Sequence, residues 1–64
     1  MTKEIFEGEI KQIMDQAYQL SVRLGNLRTE AERSGLRDGG VIDAREYLKC
    51  VINSLRFALK MVNL

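Results

Sequence analysis

Lys49, Asn53, Arg56 and Lys60 follow one another at steps of 4, 3 and 4. On a helix such steps place three cations and an amide donor on one face. That set suits phosphate oxygens, because ammonium and guanidinium groups donate charge-assisted hydrogen bonds to them. Tyr18, Arg23 and Arg28 in the first half of the chain could add an aromatic platform for a base and further guanidinium groups. Arg37 and Arg45, nearer the middle, are additional anion-binding candidates. The same strip also fits an ordinary solvated helix face, and Tyr18 also fits a packing row with Met14 and Val22.

Other chemistries lack their residues. The sequence has no histidine, which removes the commonest general base and the commonest metal ligand. Cys50 is the only cysteine, so no internal disulfide forms; it falls in an apolar row and reads as a small buried hydrophobe. Glu4, Glu7 and Glu9 are accounted for by the dipole of a helix start. The stretch RDGGVID, residues 37–43, lacks the lysine of a phosphate-binding loop. No catalytic residue, metal or cofactor is expected, and a binding or sequestering protein is expected rather than an enzyme.

Two helices must carry these residues. Phe6, Ile10, Ile13, Ala17, Leu20, Leu24, Leu27 and Ala31 recur at alternating steps of 4 and 3 with no proline between them. Thr2 can cap the start of that helix, and Gly35 can end it in the left-handed conformation. Gly39 and Gly40 supply a second flexible point. Asp43 with Glu46 resembles a capping box, followed by a second seam of Ala44, Leu48, Val51, Leu55, Ala58 and Val62. The expected fold is all-α: an antiparallel helical hairpin with a helix over about 3–33, a turn over 34–42 and a helix over about 43–63.

The hairpin leaves apolar surface over. Helix 1 should overhang helix 2 by roughly 15 Å at 1.5 Å per residue, leaving Phe6 and Ile10 without a partner within the chain. A second row of helix 2, Tyr47, Cys50, Ser54, Phe57 and Met61, lies off the seam, flanked by the polar strip from Glu46 to Asn63. A single 64-residue chain is marginal without a disulfide or a metal, so assembly into a helical-bundle homo-oligomer is expected. Phe6, Ile10, Tyr47, Cys50, Phe57 and Met61 are the interface candidates.

The formal net charge is +1, with the acidic side chains concentrated in the first half and the basic ones in the second. That balance argues against nucleic acid as a partner. The opening MTKEIFEGEI lacks the apolar core of a signal peptide, and Lys49, Arg56 and Lys60 break the last apolar stretch, so a cytoplasmic protein off the membrane is expected.

The second helix resembles the helical hairpin of phage cyclic-oligonucleotide sponges, anti-defence proteins that sequester signals of the CBASS and Thoeris systems. In that family an Arg-Glu pair starts a helix carrying Ala-Leu-Thr-x-Leu-x-x-Ala-x-x-Trp-Ala. Here Arg45-Glu46 precedes the run from Val51 to Val62, in which Leu55 and Ala58 match, Asn53 replaces Thr and Met61 replaces Trp. The resemblance implies an oligomer of hairpins that binds cyclic nucleotides between subunits without cleaving them. The stretch RDGGVIDAREYLKC is also similar to the turn and second helix of type III secretion needle co-chaperones, which implies docking of a partner protein's helix. A third likeness, to the plasmid copy-number Rop bundle, implies a dimer that binds RNA through one polar bundle face.

Overall fold

A computed structural model describes residues 1–64 as two helices, α1 over Lys3–Arg33 and α2 over Gly39–Val62. They pack antiparallel: Arg28 meets Asp38 near the turn, the Arg45 guanidinium lies by Gly25, and Arg56 meets Tyr18 farther along. No helix is long and apolar enough to cross a membrane.

The ends of α1 follow from its sequence. Thr2 is the N-cap, and its hydroxyl accepts the Ile5 N–H at 3.2 Å. At the other end the Leu36 N–H donates to Ala31 O at 2.8 Å and the Gly35 N–H to Glu32 O at 3.3 Å. This pair of bonds is a Schellman cap; it needs a left-handed residue after the cap, and Gly35 supplies it with φ 68°.

The start of α2 differs from expectation. It begins at Gly39 rather than near residue 43, so the connection is shorter, and Asp43 lies inside the helix rather than at its cap. Asp38 is the N-cap by its backbone: its carbonyl accepts the Val41 and Ile42 N–H groups at 3.0 and 3.1 Å. Its carboxylate makes no cap bond and instead accepts from Arg28 Nε at 3.3 Å. Glycines cost least at a helix start, where their N–H groups lack helical acceptors anyway, and the early start half-buries Val41 and Ile42. With helices of 31 and 24 residues the overhang is about 10 Å, shorter than expected. Ile10 is consequently 5% exposed, packed inside the hairpin rather than left for another subunit.

The inner faces are also shifted from the expected seams. On α1, Ile10, Met14, Ala17, Ser21, Leu24 and Ala31 turn inward, whereas Phe6, Ile13, Leu20 and Leu27 are exposed. On α2, Ile52 takes the inner position that the pattern gives to Val51, which is exposed. Arg45, Leu48, Leu55, Leu59 and Val62 complete that face as half-buried residues. The reason is size: Ala17, Ser21, Gly25 and Ala31 make a shallow trough on α1 that receives longer side chains of α2.

Candidate functional site

The trough has an open edge, and there the two helices build a cleft of about 230 Å³ lined by Tyr18, Lys49, Ile52, Asn53 and Arg56. Tyr18 and Arg56 lie 38 residues apart in sequence, and the antiparallel turn brings them together so that Arg56 Nη2 donates to the Tyr18 hydroxyl. That bond orients the guanidinium along the cleft wall. Asn53 and Lys49 stand about one and two turns earlier on α2, as their spacing requires. Ile52, only 6% exposed, closes the floor and is the one buried residue of α2.

Electrostatics at this edge are mixed and solvent-accessible. Lys49 Nζ lies 3.1 Å from Glu46 Oε1, an exposed pair at i,i+3. Pairs of this kind contribute little in water, so a phosphate can displace Glu46 at small cost. Arg56 has no carboxylate partner. The arrangement offers two cations, an amide, a phenol face and an apolar floor. Ammonium and guanidinium groups of this kind pair with anionic oxygens, and a phenol ring offers a face for stacking.

The remaining sequence candidates lie elsewhere. Lys60 is exposed on the same polar strip but does not line the cleft. Arg23 borders a separate apolar recess of about 270 Å³ with Leu20, Leu24 and Leu27. Arg28 is engaged near the turn by Asp38 at 3.3 Å and Glu32 at 3.5 Å. Arg45 enters the helix interface instead of facing solvent, with its guanidinium carbon 3.5 Å from where a Gly25 Cβ would stand. No group of three or more His, Cys, Asp or Glu side chains is placed to hold a metal.

No family model, curated protein or solved structure matches the chain. The geometry therefore stands on its own residues. Tyr18 is 42% exposed, between half-buried Met14 and exposed Val22 on the same flank of α1. Ile52 lies outside the seam read from the sequence; its part in the cleft depends on the shift that turns it inward. The outer row of α2 stands free in the single hairpin, with Tyr47 73%, Phe57 63% and Met61 52% exposed; Cys50, expected as a buried hydrophobe, is exposed too, because its row faces away from α1.

Proposed function

We propose that the protein is a non-enzymatic, oligomeric binding protein that sequesters a phosphorylated, base-bearing ligand, with cyclic oligonucleotide signals as the ligand class. The observation that carries this reading is the assembly of Tyr18, Lys49, Asn53 and Arg56 around one cleft from two helices. A base stacks on the Tyr18 ring or the Arg56 plane, phosphate oxygens accept from Arg56 and Lys49, and Asn53 bonds a sugar or base edge. In this reading binding is pure sequestration: the sequence has no histidine, and Cys50 lies off the cleft.

Thermal denaturation with a panel of cyclic di- and trinucleotides tests the reading. Ligand at about 100 times its Kd stabilises a folded protein by about 2.7 kcal/mol, a shift of roughly 10 °C or more in a domain of this size. Arg56→Ala should remove most of that shift. No shift at saturating ligand refutes the nucleotide reading.

A second reading, an adaptor hairpin that docks a partner protein's helix, draws on the exposed Tyr47, Phe57 and Met61. It predicts that Phe57→Glu weakens association with the partner and leaves any nucleotide shift in place. The Rop-like RNA reading is disfavoured by the formal net charge of +1.

A further inference from the structure

The hairpin keeps small side chains of α1 inside and leaves a row of large ones outside. Phe6, Ile13, Leu20 and Leu27, one every seven residues, remain 43 to 54% exposed. Seven residues are close to two helical turns, so these four make one ridge along about 32 Å of α1. On α2, Ala44, Val51 and Ala58 repeat at the same interval. The Tyr18–Arg56 bond fixes the cleft on one side of the hairpin plane. The heptad positions of the ridge and of the α2 strip lie on the opposite flanks of their helices, and so share the other side.

We propose that this side, away from the cleft, is an isologous interface against which a second copy of the chain packs to complete a four-helix bundle. Surface area supports that occupant. The chain exposes 5080 Å², whereas a compact monomer of its 7.3 kDa mass exposes about 4,200 Å². The excess of roughly 900 Å² matches the ~800 Å² that each partner contributes to a standard interface. Both copies carry the same ridge, so a face-to-face pair buries each ridge against its equivalent. A seven-residue repeat of large side chains is moreover the pattern that helices bury against helices. Only four residues are buried in the single hairpin, so the cover is needed whenever the chain is folded, and a second copy is always at hand.

The inference rests on the oligomeric part of the proposed function and not on its ligand. Native mass spectrometry and sedimentation equilibrium on the full chain should give twice the 7.3 kDa mass, with a Tm that falls on tenfold dilution. Leu20→Glu, in the ridge, should abolish the dimer, whether a folded monomer or an unfolded chain results. Lys11→Glu, on the cleft flank one heptad before Tyr18, should retain it. A monomeric mass with a dilution-independent Tm, a different subunit number, a dimeric Leu20→Glu or a monomeric Lys11→Glu overturns the interface. A nucleotide shift in a monomeric protein would leave the ligand reading standing while this one fell; a dimer without a shift would do the reverse.

Discussion

Replacing Arg45 by Met should stabilise the protein, although it deletes a charged residue from a hairpin short of interactions. Arg45 Nε is buried with no hydrogen-bond partner, while its guanidinium carbon rests 3.5 Å from the point where a Gly25 Cβ would stand. One buried N–H left unpaired costs about 1–3 kcal/mol. Methionine keeps an unbranched apolar stem in the trough and removes both the donor and the charge. Loss of the guanidinium's packing on Gly25 offsets part of the gain, so a net of about 1 kcal/mol is expected, or roughly 4–8 °C in Tm. Circular dichroism melts of both proteins at equal concentration measure this, and urea titration should show a raised midpoint at unchanged slope. An unchanged or lowered Tm would mean that Nε finds a partner in the folded protein and that the unpaired-donor reasoning is wrong.

Two further substitutions probe the hairpin. Gly8 lies inside α1 with nothing within 4 Å of an added Cβ, so Gly8→Ala should raise stability, read by the same melts, by about 0.5–1 kcal/mol through helix propensity alone. Ile52→Ala removes three carbons from the buried centre of α2; at about 0.8 kcal/mol each the loss is about 2–3 kcal/mol, seen as a Tm drop of more than roughly 10 °C.

The helices themselves were legible in the sequence because their signals are local. Thr2 caps, Gly35 turns left-handed, and the apolar repeat between them has no proline. The start of α2 was not legible, because Asp43-x-x-Glu46 offers a better side-chain cap than Asp38, whose carboxylate is taken by Arg28 from the other helix. The phase of the seams was missed for a similar reason. Ile10, Ala17, Leu24 and Ala31 belong to two overlapping heptad readings, one completed by Phe6, Ile13, Leu20 and Leu27 and the other by Met14 and Ser21. Hydrophobicity favours the first; the packing of α2 into a trough of small residues selects the second, which no count along one strand of sequence reveals. Of the cleft, the α2 strip was visible from its spacing, whereas Tyr18 joins Arg56 only through the antiparallel register.

The shape of the hairpin bears on how its assembly has to be measured. Its extents of 49 × 15 × 12 Å give a radius of gyration of 15.1 Å, against about 11 Å for a compact chain of this length. A globular protein with that radius would hold about 160 residues. A lone hairpin would therefore travel through a gel-filtration column ahead of its true weight and mimic a dimer calibrated on spherical standards. Elution volume is blind to the difference between one rod and two, so the subunit number must be weighed rather than sized.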